Sequence, residues 1–308
     1  MEKLNPYEFL EFIVDVEKIK SRAFLEGQNI SGRLIKRACQ DNNIFVNGER
    51  TFKNTEVKRG DSLAIKFPDE NLNARVQNFD LEIIYEDFDL IIINKPPFMV
   101  THTAKDDRED TLLNYLAGYF EKNKIKRKVR FVNRLDRDTS GLIIVAKNSF
   151  AHGNLSKIFQ SDNIIKKYLA IVQGKFKIKE GIIEKKIGLS EDGIRRKIDE
   201  EKGKYAKTYF KLIDEKDDFS LVELRLFTGR THQIRVHLSS IGHPILGDGL
   251  YNEIKKDDLR IKRLLLHSYY LSFKHPRTGK IIELETEIPH DFLSFLGTKH
   301  WKFKESIV

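Results

Sequence analysis

Phe131 to Asn148 reads FVNRLDRDTSGLIIVAKN. A polar turn carrying Arg134, Asp136, Arg137, Asp138, Thr139 and Ser140 runs straight into an apolar strand, Gly141 to Ala146. Such a turn sets carboxylates and guanidinium groups at the edge of a sheet, and loops held by a rigid scaffold are common places for catalysis. A free aspartate titrates at about pH 4 and is ionised at neutral pH, so it can attack carbon or accept a proton. The ordinary alternative is an Asx or Ser/Thr turn ending at glycine, with its charges paired locally. Hydrolysis of a glycoside needs two carboxylates straddling the bond. Asp136 and Asp138 are too close in sequence to be given that separation.

Two other segments carry chemistry-bearing side chains. Phe227 to Asp248, FTGRTHQIRVHLSSIGHPILGD, opens on a turn that can point Arg230 into a cleft and continues as a helix, Thr231 to Ile241. Arg235 falls on another face of that helix, with its role open. His232 and His237 diverge by about 140° on a helix, which is poor geometry for sharing one metal ion. Ile165 to Gly174, IKKYLAIVQG, is a strand holding Tyr168, either an ordinary core or edge tyrosine or a platform on which an extruded base stacks. Lys122 to Arg130, KNKIKRKVR, is either a solvated loop or a patch that touches phosphates.

The elements that must position these groups divide the chain in two. Up to about Asn78 the pattern is a helix, Arg33 to Gln40, then Ile44–Val46, an Asn47-Gly48 turn, a second turn at Arg59-Gly60-Asp61 and a strand, Ser62 to Phe67. The helix carries Arg33, Lys36 and Arg37, with Lys53, Lys58 and Arg59 nearby in sequence. Residues 68–77 read as a polar linker. Beyond it come strands at Leu81–Tyr85, Leu90–Asn94, Leu142–Ala146, Tyr168–Val172, Lys207–Leu212, Ser220–Phe227, Leu265–Phe273 and Ile281–Glu287. Helices are fewer: Thr111–Phe120, Phe150–Phe159 and the one after Arg230. Strands that follow one another without a helix between them predict an α+β domain with a mixed, mainly antiparallel sheet and helices packed on it.

With 308 residues the chain can hold one large domain and one small one. A net charge of +9 favours a polyanionic partner, most simply nucleic acid. One cysteine, Cys39, excludes an internal disulfide and a Cys-rich zinc site, and is read as a small buried residue. The first residues lack the apolar run of a signal peptide, and no window reaches the roughly 20 apolar residues of a membrane span. A soluble, cytoplasmic protein is expected.

Together the three motif segments resemble the RluA-type pseudouridine synthases. Arg134-Leu135-Asp136, with Thr139-Ser140-Gly141-Leu142, is similar to that family's catalytic motif. Lys166-Lys167-Tyr168-Leu169-Ala170 is similar to the second motif, Gly229 to His237 to the third, and Asn94-Lys95-Pro96 to the end of its first strand. Arg33-Leu34, Val46-Asn47-Gly48 and Gly60-Asp61 resemble the S4-type RNA-binding module that often precedes the catalytic domain. Asn133 stands where the family commonly has histidine, Phe98 where it has glycine, and Thr103 where it has proline.

The resemblance implies a small N-terminal α/β S4-like RNA-binding domain over 1–77 (core about 17–67) and a catalytic domain over 78–308. It implies isomerisation of a uridine within RNA, with Asp136 as nucleophile or base. Attack at the ribose, addition at C6 and a glycal route each need one carboxylate and stay open; none needs a cofactor or metal. Arg230 would pair with Asp136, Tyr168 would lie against the target base, and Arg134 would fill the gap left by the flipped nucleotide. Arg33, Lys36, Arg37, Lys126, Arg127 and Lys128 would hold the RNA backbone. The expected partner is RNA, ribosomal in preference to transfer RNA, with no DNA and no membrane, and the protein is expected to be a monomer. A non-catalytic RNA-binding protein is the competing reading.

Overall fold

The computed structural model describes residues 4–51, 54–102, 109–161, 163–216, 218–252 and 261–296. Lys53 and Thr103, singled out above, lie outside them. The chain forms two compact units: Met1–Ile92 with Leu113–Asn133 and Ile144–Lys157, and Ile93–Leu112 with Arg134–Ile143 and Ile158–Val308. No helix among the described residues is long and apolar enough to cross a membrane.

The first unit begins with β1 (Phe9–Ile13), β2 (Lys18–Lys20), α1 (Ser21–Gly27), α2 (Gly32–Gln40), β3 (Ile44–Val46), β4 (Glu49–Arg50), β5 (Glu56–Lys58) and β6 (Ser62–Lys66). An antiparallel sheet runs β1-β6-β3-β4, and β2 pairs with β5. The Ser31 hydroxyl caps α2 by accepting the Leu34 N–H, one of the donors a helix start leaves unsatisfied. Leu34, Ile35 and Ala38 are buried on one face, while Arg33, Lys36 and Arg37 are exposed. Cys39 is half-buried against the same core. Asn47 and Gly48 sit at φ 51° and 87°, which matches the tight hairpin turn expected there. β1, β2 and α1 were not legible in the sequence.

Next come β7 (Ile83–Glu86), β8 (Leu90–Lys95), α3 (Leu112–Lys122), β9 (Arg130–Phe131), β10 (Ser140–Ala146) and α4 (Ser149–Phe159). Residues 68–77, read as a polar linker, are tied down within this unit. Asn73 exchanges two hydrogen bonds with the Val129 backbone, and the Glu70 carboxylate accepts Arg130 Nη2 on both oxygens, at 2.6 and 2.7 Å, and the Lys128 N–H at 3.3 Å. Gly118 on α3 leaves room for this strap, since a Cβ there would lie 2.0 Å from the Gln77 carbonyl oxygen.

The second unit holds β11 (Ile164–Gln173), β12 (Glu180–Glu184), β13 (Ile187–Leu189), β14 (Arg196–Ile198), β15 (Lys207–Lys216), β16 (Phe219–Leu226), α5 (Gln233–Ser240), β17 (Leu266–Lys274), β18 (Ile281–Glu285) and α6 (His290–Leu296). Its sheet runs β12-β15-β16-β11-β17 with β18 on β17, every pair antiparallel. Ser140–Gly141 adds to β17 in parallel. This is the mixed, mainly antiparallel α+β fold expected. β11 lies inside the sheet, and Leu169 to Val172 are all buried, which accounts for its unbroken apolar run.

Candidate active site

The turn expected at Asp136 forms within the second unit: the Thr139 N–H reaches back to the Asp136 carbonyl at 3.2 Å. The carbonyls on either side of Asp136 are held. Thr101 Oγ1 donates to Leu135 O at 2.9 Å, and Lys95 Nζ donates to Arg137 O at 3.1 Å. Lys95, fully buried, also donates to Pro96 O and Met99 O. Burial pulls the Lys95 ammonium down to about 7, with the charges of Asp138 and Asp136 opposing and that of Arg263 reinforcing. The three carbonyl acceptors favour its charged form. Phe98, exposed, sits at φ 65°, in the left-handed region that glycine adopts freely. Beyond the turn, Gly141 has φ 114°, and an added Cβ would meet the Ser268 carbonyl oxygen at 2.1 Å. Only glycine lets the strand leave the turn that close to β17.

The cation opposite Asp136 is Arg235, a correction to the pairing expected from Arg230. Arg235 Nη1 lies 2.9 Å from Asp136 Oδ2, while its Nε and Nη2 grip Asp248 at 2.8 and 2.7 Å. Arg230 is exposed and gives its Nε to the Tyr205 carbonyl. The reason is local. His232 caps α5 in a left-handed conformation, φ 56° and ψ 20°, and Gln233 Oε1 accepts the Arg230 N–H at 3.0 Å. The helix therefore starts after the turn and carries Arg235, rather than Arg230, to the carboxylate. Asp248 is fully buried and also accepts the Leu250 and Tyr251 N–H groups. Burial works against the Arg235 charge, but the bonds and charges of Asp248 and then Asp136 outweigh it and hold its pKa above the ordinary guanidinium value. A rigid planar fork bridging two carboxylates is a use for which lysine is no substitute.

Around this pair, the Asp136 side chain stays about a quarter exposed at 26%. Tyr168 on β11 is buried, at a shift of register between Lys167 and Tyr168 opposite β17. Bulges of this kind re-aim a side chain. Burial first, and the Asp136 charge after the opposing Ser268 side chain, push the Tyr168 phenol up to about 12. Arg134 is exposed. Asp138 is held by Arg137, with Nε at 2.8 Å from Oδ1. His237 is fully buried, with Nδ1 on Thr208 Oγ1 and Nε2 on Lys185 O. Arg235 and Asp248 are the residues sequence reasoning missed. Arg235 lay inside the third motif, where helical spacing put it on another face and left its role open.

In the first unit the basic run meets the acids of residues 68–77. Arg127 is buried and donates to the carbonyls of Pro68, Lys126 and Tyr7, and Lys126 pairs with Asp69 at 3.1 Å. Lys128 is exposed. On α2, Arg37 lies 3.6 Å from Asp41. Among the described residues Arg33 and Lys36 enter no ion pair.

Residues 89–240 match the RNA pseudouridylate synthase family. The chain is 35% identical over 260 residues to an uncharacterized RNA pseudouridine synthase of Bacillus subtilis, a match covering 83% of this chain and 91% of that protein. It is 32% identical over 303 residues to ribosomal large subunit pseudouridine synthase D of Buchnera aphidicola, covering 91% and 92%. The solved structure of human RNA pseudouridylate synthase domain containing 1 matches with a TM-score of 0.58 at 32% identity, over 70% of this chain and 86% of that one.

Proposed function

This chain belongs to the RNA pseudouridylate synthase family and is an isomerase of the RluA type, and on that premise we propose that it converts specific uridines of large-subunit ribosomal RNA to pseudouridine with Asp136 as nucleophile or base. The observation that carries the reading is a half-buried carboxylate whose geometry is imposed by a buried cation, Arg235, itself anchored on Asp248. The reaction breaks the uracil N–glycosidic bond, rotates the base and rejoins it through C5. The C5 proton is given up as N1 takes one on, so atoms balance and no electrons change hands, and the protein has to supply a reactive group, its orientation and a site for the extruded base.

In this reading Asp136 reacts, Arg235 orients it and Tyr168 lies against the base. Arg134, exposed beside Asp136 in sequence, enters the gap the nucleotide leaves. Residues 1–77 act as an S4-like RNA-binding domain ahead of a catalytic domain over 78–308. Arg33, Lys36 and Arg37 of that domain and Lys128 of the catalytic domain are phosphate contacts, all exposed. Lys126 joins them if it leaves Asp69, whereas Arg127 serves by holding residues 68–69 in place. The ribosomal target is supported by relatives named for the large subunit. Such a protein works in the cytoplasm and as a monomer.

The test is pseudouridine mapping of total RNA from cells carrying the wild-type protein or Asp136→Asn. The expected result is loss of modification at defined uridines in large-subunit ribosomal RNA. Identical maps would favour a non-catalytic RNA-binding protein. Loss confined to transfer RNA would keep the chemistry and change the target.

A further inference from the structure

His232 stands beside Asp136 and Tyr251 beside His232 and Arg235, and neither side chain has been given a role in the reaction so far. His232 occupies the left-handed region, at φ 56°, which is uncommon for any residue but glycine. That backbone aims the imidazole at the carboxylate, with Nε2 3.7 Å from Asp136 Oδ2. Nδ1 lies 2.9 Å from the Tyr251 hydroxyl, and the same hydroxyl accepts the Arg196 N–H at 2.7 Å. Tyr251 is fixed in turn by its own N–H on Asp248, and its ring lies under the Arg235 guanidinium, 5.0 Å from the ring centre.

A phenol has one proton to give. With the Arg196 N–H directed at its oxygen, Tyr251 has that proton free for His232 Nδ1. The neutral imidazole then carries its own proton on Nε2, facing Asp136. The opposite tautomer would set a nitrogen lone pair against a carboxylate oxygen. The charged groups around the ring are Asp136, Arg235, Asp248 and Arg196; burial foremost keeps His232 below the ordinary histidine range, with Asp136 opposing. Among the described residues both donors, Arg235 Nη1 and His232 Nε2, approach Oδ2, and none is found on Oδ1.

We propose that Tyr251 and His232 are positioning residues for Asp136: Tyr251 selects the Nε2–H tautomer of His232, and His232 joins Arg235 on Oδ2, leaving Oδ1 as the reacting oxygen. The inference rests on Asp136 being the reacting carboxylate. The 3.7 Å separation is longer than a hydrogen bond, as hydrogen bonds in unliganded active sites often are before substrate tightens them.

The test uses the full chain and [5-³H]uridine-labelled RNA from cells lacking the protein, since joining at C5 releases that hydrogen. Removing one hydrogen bond to a charged group should slow the single-turnover step by about tenfold to a hundredfold. That loss is expected in Tyr251→Phe and His232→Leu, with the enzyme concentration for half-maximal rate unchanged. His232→Gln, whose carboxamide N–H stands near the place of Nε2–H, should recover most of it. The ¹⁵N spectrum of labelled histidine in the wild-type protein should show the Nε2–H tautomer, and Tyr251→Phe a mixture. A His232→Gln as slow as His232→Leu, a His232→Leu at the wild-type rate, or an Nδ1–H tautomer in the wild-type protein overturns the proposal. Asp136→Asn is the control. If it is inactive while these variants behave like wild type, only this inference falls; if it keeps the wild-type rate, the reading of Asp136 falls and takes this inference with it.

Discussion

Arg235 touches the partly exposed Asp136 with one nitrogen and holds the buried Asp248 with two, so the cation that orients the reactive carboxylate is itself immobilised from behind. A charge in this position is dangerous to remove. Asp248 would be left buried without its partner, and breaking a buried pair by deleting one member costs about 3–5 kcal/mol.

Arg235→Met should therefore lose about that much stability in urea denaturation, on top of its loss of activity. Arg235→Lys keeps a positive charge but cannot reach both carboxylates with a planar fork. It should stay folded and lose at least tenfold in single-turnover rate, on the order of one charged hydrogen bond. An Arg235→Lys with the wild-type rate would show that charge alone, without the fork, suffices.

Arg230→Ala should behave differently. Arg230 is exposed and among the described residues its guanidinium reaches the Tyr205 carbonyl alone, through Nε, which leaves Nη1 and Nη2 for an RNA phosphate. The variant should weaken RNA binding and reduce the slope of log affinity against log salt by about one, with a smaller effect on the chemical step than Arg235→Lys. The comparison of the two variants in one assay separates orientation of Asp136 from grip on the backbone. A larger rate loss in Arg230→Ala would return the pairing role to Arg230.

The confusion of these two arginines shows where sequence reading stops. The strands around the site were legible because β8, β10 and β11 hold unbroken apolar runs and β16 and β17 interleave apolar and aromatic residues with polar ones; all five lie within a few residues of where they were expected. The turn at Asn47-Gly48 was legible because both residue types tolerate positive φ. Whether Arg230 or Arg235 meets Asp136 depends on where α5 begins, and that is set by a left-handed histidine inside a segment whose apolar pattern reads as helix from Thr231 on. Asp248 was invisible as a partner because its role is tertiary. The basic run and the polar segment at 68–77 were each read alone, while their charges complement one another across about sixty residues of chain, as Glu70 and Arg130 show. The short pair β13–β14, three residues each with mixed polarity, offered no periodicity to find.

Gly141→Ala should fold poorly. At φ 114° any side chain is strained, and the new Cβ would overlap the Ser268 carbonyl of β17, which is backbone and cannot swing aside. Strain at such a position and overpacking each cost about 1–3 kcal/mol. The expected result is a lower denaturation midpoint with residual activity reduced. A variant with unchanged stability would mean that β10 can shift against β17 at little cost.

Stability should also fall on mild acidification through His267. Its ring is almost fully buried, with Nδ1 on Ser140 Oγ and Nε2 on Thr286 Oγ1. Burial, foremost, and the Arg263 charge lower it to about 3, against an ordinary value of 6.5. Between these two values the unfolded chain binds a proton that the folded protein excludes, so stability decreases as pH falls through that window and is intact above it. Each pH unit costs at most about 1.4 kcal/mol, which amounts to about 2 kcal/mol between pH 6.5 and pH 5. Carboxylates also titrate as acid is added, so the measurement is a comparison of wild type with His267→Gln, whose amide can still bond to both hydroxyls without titrating. Urea denaturation at pH 7 and pH 5 should show the variant losing less stability than wild type by about 2 kcal/mol. Parallel losses in the two proteins would mean that His267 takes up its proton without unfolding the strand that carries it.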